Sequence, residues 1–384
     1  MIYIFWLSIL FILYAYVGYP MLLWVLAIFK TRRTSKCTAE CDTSRKEVTL
    51  IISAYNEEKV IENKILNSLA IEYPGELLEI MVVSDASEDN TDRIVSNYAD
   101  RGIVLQRYEG RLGKTECLNR TVPAAKGDII IFSDANSLYD GNAVRELVKH
   151  FGDPAIGFVT GSSKYISSQA SEPILEPIGI YSKLEQLTKG LESRIGSCVG
   201  ADGAIFAIRK NLYKSLKRSD INDLVIPFNI IEQGYSGIFE KGAFCLENAA
   251  KNMEGEFYRQ VRITSRTLRA IASHSILLNP FRFGSFSFAL FSHKVCKLCV
   301  PFFLMTFMAA NIIMLPRGGV FAVVLVLQLM FYAMAALHSF MDKVSGLSSF
   351  LSIPKTFAVA NYAILMGWFK YFRGETFTTW TTGR

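Results

Sequence analysis

Acidic and amide side chains gather directly after three short apolar runs of this chain. Val48 to Tyr55 is followed by Asn56, Glu57 and Glu58, Leu78 to Ser84 by Asp85, Ala86, Ser87, Glu88 and Asp89, and Asp128 to Ser133 by Asp134, Ala135 and Asn136. An ionised carboxylate accepts hydrogen bonds, ligates hard cations and removes protons, so such groups can hold a polar ligand, carry Mg2+ or Mn2+, or act as a general base. Any one of them alone would serve as a helix cap or turn. Three in series at the ends of like segments point to a site.

Further on lie Asp202 beside Gly203 and Asn222 beside Asp223, and then a basic block. Residues 257 to 297 hold seven Lys or Arg (Arg259, Arg262, Arg266, Arg269, Arg282, Lys294, Lys297) and no Asp or Glu, whereas residues 30 to 256 carry 28 basic against 33 acidic residues. The block therefore faces something anionic, either membrane lipid headgroups or a phosphorylated ligand. Nucleic acid is not expected as a partner, because no matching basic domain accompanies the block.

The segments that must hold these groups alternate in type. Val48 to Tyr55, Leu78 to Ser84, Ile103 to Arg107 and Asp128 to Ser133 read as strands, with helical stretches beginning near Glu57, Thr91 and Gly113. This predicts an α/β fold, a parallel sheet with helices on both faces, and ligands bind such sheets outside the carboxyl ends of the strands. All three acidic clusters sit at those ends. No G-x-G-x-x-G and no P-loop follows the first strand, so the dinucleotide and NTPase readings lose their warrant.

The 384 residues are 51% hydrophobic and 20% charged, with a mean hydropathy of +0.25 that is concentrated in a few stretches. A disordered or fibrous chain is excluded, and a membrane protein with a large water-soluble part is predicted. Residues 1–29 carry no charge and are long enough to span; Lys30, Arg32, Arg33 and Lys36 follow, which places that end in the cytoplasm of a plasma or inner membrane. Residues 30–47 are then a cytosolic linker, 48–270 a cytosolic catalytic domain and 271–297 basic interfacial helices. Residues 298–341 form a transmembrane helical hairpin turning at Arg317. The shorter uncharged run inside 354–372 suits an interfacial helix, which leaves the tail 373–384 cytosolic. Seven cysteines scattered through such segments argue against a disulfide framework, and neither Cys37 with Cys41 nor Cys296 with Cys299 has a second pair at zinc spacing.

The stretches I-S-A-Y-N-E-E, V-V-S-D-A-S-E-D-N-T-D, G-R-L-G-K-T-E-C-L-N and F-S-D-A-N, in this order and spacing, resemble the family 2 glycosyltransferases, in particular the membrane-embedded synthases of hyaluronan, chitin and cellulose. The resemblance runs from about Val48 to Arg269 and returns at the C-terminus. It implies a Rossmann-like, nucleotide-sugar-binding domain of the GT-A type with transmembrane α-helices. It further implies a nucleotide-diphosphate sugar donor, with UDP the expected nucleotide, a divalent cation, and inversion at the anomeric carbon. By the same resemblance Asp85 holds the base and ribose with Asn56 and Glu57, Lys114 sits near the nucleotide, and Asp134 opens the D-x-D metal motif. Its third position is Asn136, an uncharged ligand.

The segment Gly200 to Arg209, with Asp202 and Gly203, resembles the acceptor side. Asp223, with Gly234 and Tyr235 eleven and twelve residues beyond it, resembles the motif whose carboxylate is the general base. Arg259 to Ile263 aligns with Q-x-x-R-W: Arg262 keeps the arginine that meets the leaving diphosphate, with Arg259 as a helper, while Ile263 replaces the tryptophan of processive members. Trp380 to Arg384 resembles a gating loop that closes over the nucleotide. Together these imply transfer to a saccharide or lipid-linked acceptor in surface polysaccharide assembly. A polyprenyl-phosphate sugar synthase and an inactive membrane scaffold are the alternatives, and homo-oligomerisation is left open.

Overall fold

The computed structural model describes residues 1–30, 46–166, 176–248, 253–341 and 348–377. Two helices, α1 (Ile2–Leu13) and α2 (Tyr19–Phe29), are joined through a π-helical turn at Tyr14–Gly18 into one apolar rod. The chain then enters a β/α unit. β1 (Val48–Ala54), α3 (Ile61–Leu69), β2 (Leu78–Asp85), α4 (Thr91–Ser96), β3 (Ile103–Tyr108), α5 (Lys114–Ala124) and β4 (Ile129–Asp134) follow one another with short connections. Every residue of β1 is buried, as expected of a strand covered on both faces. Its side chains alternate between two cores: Ile51 packs with Met81, Ile130 and Phe132, and Leu50 and Ile52 pack with Ile80, Val82 and Ile131.

The second half is β5 (Leu138–Tyr139), α6 (Ala143–Val148), β6 (Ile156–Ile166), α7 (Glu176–Ile195), β7 (Ile205–Arg209), α8 (Asn222–Glu232) and β8 (Ser236–Asn248). The eight strands form one sheet in the order β3-β2-β1-β4-β7-β6-β8-β5. The prediction of a parallel sheet holds for β3-β2-β1-β4 and again for the β6–β8 pair, but β7 runs antiparallel to β4 and β6, and β5 antiparallel to β8. The β/α alternation continues to β8, but β7 re-enters the sheet from the opposite end. Strands 1 to 3 extend the sheet one way and β4 the other, so the order reverses between β1 and β4, and Ser53 faces Asp134 across that switch point.

Beyond the sheet lie α9 (Met253–Ser273), the short α10 (Pro280–Phe283) and α11 (Ser285–Leu290), a π-helical turn at Phe291–Val295, α12 (Cys296–Met314), α13 (Val320–Met341) and α14 (Ser348–Phe372). Three helical stretches, Ile2–Phe29, Ser285–Arg317 and Val320–Leu337, are long and apolar enough to cross a membrane. The uncharged run near the C-terminus belongs to a helix of 25 residues that begins at Ser348, before the 354 read from the sequence, and carries Pro354 in its second turn. α14 lies on α9 because Gly367 has no side chain: a Cβ there would stand 2.5 Å from the Thr264 side chain. Trp368 Nε1 donates to the Leu298 carbonyl at 2.8 Å, tying α14 to α12 as well.

Candidate active site

The loops after β1 and β2 are stitched together by the residues that the sequence singled out. Glu57 N–H donates to Thr91 Oγ1 (2.8 Å), Glu58 N–H to Asp89 Oδ2 (3.0 Å), and Glu88 N–H to Asn56 Oδ1 (2.8 Å). Asn56 takes a positive φ of 50° to do so. Asp85 is fully buried at the end of β2. Its carboxylate accepts from the backbone N–H groups of Leu112 (2.6 Å) and Gly113 (3.0 Å) and from Arg111 Nη1 (3.3 Å). Asp85 therefore shapes the 110–114 loop, and Gly113, at φ +87°, is the residue that can turn its N–H into it. Arg111 Cζ stands over the Tyr55 ring, 3.2 Å from its centroid, which joins the first strand end to the same loop.

That loop starts α5 with Lys114, whose ammonium pairs with Asp134 Oδ1. The Asp134 side chain is 39% exposed, and Asn136, two residues on, is half-buried. A carboxylate and an amide oxygen on one turn are hard donors suited to Mg2+ or Mn2+, with a diphosphate and water able to supply the remaining oxygens. No cluster of three or more metal-ligating His, Cys, Asp or Glu occurs among the described residues, so a cation here would depend on the donor to complete its shell. Behind the turn, buried Lys64 donates to the Ser137 carbonyl (2.5 Å) and sits over the Tyr139 ring; burial pushes its pKa down to about 7. Glu247 on β8 bonds to the Ser137 hydroxyl. Its burial, with Asp134 and Asp202 nearby, pushes its carboxyl up to about 7 against the pull of that bond.

Asp223 lies in the first turn of α8. Its Oδ1 is sealed from solvent and has no hydrogen-bond partner among the described residues. Burial raises its pKa; Lys114, Arg266 and Lys189 pull it back, and Asp202 adds to the rise. Gly203 stands beside it, and a Cβ there would lie 3.2 Å from Asp223 Oδ2. Asp202 is turned the other way: it accepts from Ser163 N–H (2.9 Å) and Ser163 Oγ (3.0 Å), and its own N–H donates to Thr160 Oγ1 (2.7 Å). It thus pins the loop on which Gly203 meets the carboxylate.

On α9, Arg259, Arg262, Arg266 and Arg269 are spaced three, four and three residues apart and share one face. Arg259 is held by Glu256 (2.8 Å). Arg266 donates to the Ser219 carbonyl (3.1 Å) and to that of Asp220, and Arg269 to the Glu375 carbonyl (2.8 Å). Arg262, half-buried between them, makes no hydrogen bond or ion pair among the described residues. Burial and the neighbouring Arg259 both disfavour its charge, which is the setting in which a bound anion gains most.

The structure thus gathers Asn56, Glu57, Asp85, Lys114, Asp134, Asn136, Asp202, Gly203 and Asp223 at one edge of the sheet, with Arg266 of α9 near Asp223. Trp380 and Arg384 lie outside the described residues. Arg111, Lys64, Glu247, Lys189 and Arg266 belong to the same neighbourhood and were not singled out individually as site residues. Of these, Arg266 had a signal in its helical spacing from Arg262, and Arg111 in its place within the G-R-L-G-K stretch.

Residues 49–215 match the family model described as glycosyl transferase family 2. A poly-beta-1,6-N-acetyl-D-glucosamine synthase of Staphylococcus aureus (strain COL) is 25% identical over 241 residues, which are 61% of this chain and 56% of that protein. The Staphylococcus epidermidis protein of the same name is 22% identical over 240 residues, with the same coverage. The chain thus matches little more than half the length of these relatives. Among solved structures, mannosyltransferase PcManGT from Pyrobaculum calidifontis, in complex with GDP-Man and Mn2+, superposes with a TM-score of 0.72 at 21% identity, covering 97% of this chain and 99% of that one. The shared architecture is the GT-A glycosyltransferase fold.

Proposed function

We propose, from the family 2 glycosyl transferase domain carried by residues 49–215, that the protein is an inverting membrane glycosyltransferase. It moves a sugar from a nucleotide diphosphate, UDP being the expected nucleotide, to a saccharide or lipid-linked acceptor in surface polysaccharide assembly. The observation that carries this reading is a carboxylate oxygen and a guanidinium, Asp223 Oδ1 and Arg262, both withdrawn from solvent at one sheet edge and both without a partner among the described residues. A base without a bound proton donor and a cation without a counter-ion are complementary to a hydroxyl and to a diphosphate.

In this reading Asp223 takes the proton of the acceptor hydroxyl while that oxygen attacks the anomeric carbon. The bond from that carbon to the β-phosphate oxygen breaks in the same displacement. The negative charge growing on the diphosphate meets Arg262 and Lys114, with Arg259 at the margin, in a partly water-excluded setting where preformed cations act strongly. Asp134 and Asn136 would hold Mg2+ or Mn2+, which neutralises diphosphate charge when bound. Asn56, Glu57 and Asp85 form the base and ribose end, Asp85 acting through the 110–114 loop. Asp202 and Gly203 line the acceptor side. The test is nucleotide release by the detergent-purified protein from a panel that includes UDP-N-acetylglucosamine, UDP-glucose and GDP-mannose, with mass analysis of the products. A scaffold would release nucleotide from none of them.

The resemblance and Gly203 supply two further expected outcomes. Gly203→Ala brings a methyl to 3.2 Å from the Asp223 carboxylate, and displacement of a base by a few tenths of an ångström is expected to lower kcat about tenfold with donor KM unchanged. Wild-type kcat would separate Gly203 from the base. For topology, a cysteine replacing exposed Asn142 is expected to be shielded from an impermeant thiol reagent in intact cells and one replacing Arg317 to be labelled. The reverse pattern would put the donor site on the side opposite to the cytoplasm.

A further inference from the structure

One buried cluster of charged side chains lies away from the sheet edge. His293, in the π-helical turn before α12, is fully buried. Its Nδ1 lies 2.8 Å from Glu192 Oε1 and its Nε2 2.9 Å from Glu185 Oε2. Both ring nitrogens are thus engaged, each by a different glutamate of α7. Tyr19 OH, from the first apolar helix, donates to the same Glu192 oxygen at 2.8 Å. Lys297 and Lys294 approach Glu185 at 3.2 and 3.4 Å. Burial alone would raise Glu185, but His293, Lys297 and Lys294 override it and hold its carboxyl well below the usual range. His293, Tyr19, Lys294 and Lys297 are thus all drawn onto one face of α7 by these two glutamates.

Glu192 has a second oxygen, and it does not face the membrane segments. Its Oε2 accepts the N–H of Val199 at 3.1 Å, in the loop that follows α7. The loop is held elsewhere too: Asp202 accepts from Ser163 and its N–H donates to Thr160 Oγ1, and Lys189 Nζ reaches the Ala201 carbonyl at 3.4 Å. Ser197 and Cys198 are paired with Gly237. Ala201 N–H donates to the backbone carbonyl of Asp223 itself at 2.8 Å, and Gly203 packs on the Asp223 carboxylate. Between the Val199 and Ala201 clamps stands Gly200, at φ +96°, the residue best able to swing if one clamp is released.

We propose that His293 and Glu192 are positioning residues: through the Val199 N–H they pass the seating of the membrane helices to the 197–203 loop, and so set Asp223 for proton removal. The inference rests on the reading of Asp223 as the base. It accounts for why one carboxylate is divided between a membrane-segment histidine and a catalytic-domain amide, which simple anchoring of α7 does not require. A base displaced by an ångström loses most of its effect while the donor site, built on β1, β2 and β4, is left alone.

The experiment compares Glu192→Gln, His293→Gln and Tyr19→Phe with the wild type in lipid nanodiscs. Glu192→Gln is isosteric but leaves only one acceptor oxygen for its donors. It is expected to lower kcat ten- to a hundredfold for whichever donor of the panel is turned over, with KM within about twofold. Hydrogen exchange in a peptide spanning 196–204 is expected to quicken while a β1 peptide keeps its protection. His293→Gln should do the same from the membrane side. Tyr19→Phe, which leaves both remaining Glu192 bonds, should match the wild type in both readouts. Unchanged exchange at 196–204 overturns the coupling whatever the turnover, and so does loosening shared equally by β1. If His293→Gln does not fold, Glu192→Gln decides. A wild type that releases nucleotide from no donor overturns the glycosyltransferase reading instead, and the exchange data still decide the coupling.

Discussion

Replacing Asp223 with Asn is expected to lower transfer by about 10² to 10⁴, to leave nucleotide binding intact, and to make the protein more stable at neutral pH. The two effects have one cause. Burial raises the Asp223 pKa, with Lys114, Arg266 and Lys189 offsetting only part of the rise. In the window between the ordinary carboxylate value and the raised one, the folded state holds a proton that the unfolded state has lost, so stability falls as pH rises through it. Above that window the fold carries a buried carboxylate oxygen with no hydrogen-bond partner among the described residues. Asn carries no charge and keeps the shape. The stability difference between variant and wild type should therefore open as pH rises through the window and vanish below the ordinary carboxylate range. Activity has the opposite dependence, since a base must be ionised, so the acid limb of kcat against pH should lie above that of an ordinary aspartate. Thermal melts and a pH–rate profile of both proteins read this directly. Turnover like the wild type's in Asp223→Asn would remove the residue from the mechanism.

The parallel half of the sheet was far more legible in the sequence than its surroundings. The four strands of the parallel half were placed within about a residue of their observed limits, because each is a continuous apolar run flanked by polar turns, a pattern that burial on both faces imposes. The antiparallel return of β7 had no such mark. Asp85 is expected to meet the base and ribose, and in the structure its carboxylate also accepts from the Leu112 and Gly113 N–H groups and shapes the 110–114 loop; the two uses look alike in sequence. Lys64 and Glu247 meet at Ser137 from positions 73 and 110 residues away in the chain. No local periodicity announces that a lysine or glutamate will be taken inside by a partner so distant. His293 was hidden for a related reason: it stands at the head of an apolar run, and only the packing of α7 brings two carboxylates to it.

Asp134→Ala is expected to abolish transfer, a loss of at least about 10³, while leaving the fold in place. The side chain is 39% exposed and its ion pair with Lys114 is partly solvated, so its removal should cost less than about 1 kcal/mol of stability. What it removes is the only carboxylate of the D-A-N turn. Asn136 cannot replace it, because an amide oxygen brings no charge to balance a divalent ion. Lys114 would meanwhile keep its charge with no partner in this turn, which favours nucleotide binding and disfavours a cation in the same place. The variant should therefore still bind UDP, by calorimetry, without the metal dependence of the wild type. Asn136→Asp works in the other sense: a second carboxylate strengthens the cation site, so activity should persist and the preferred ion or its required concentration should shift. Chelator titration of the wild type is the decisive control. Full activity in excess chelator would mean that Lys114, Arg262 and Arg266 neutralise the diphosphate unaided, and that Asp134 serves chiefly to aim Lys114.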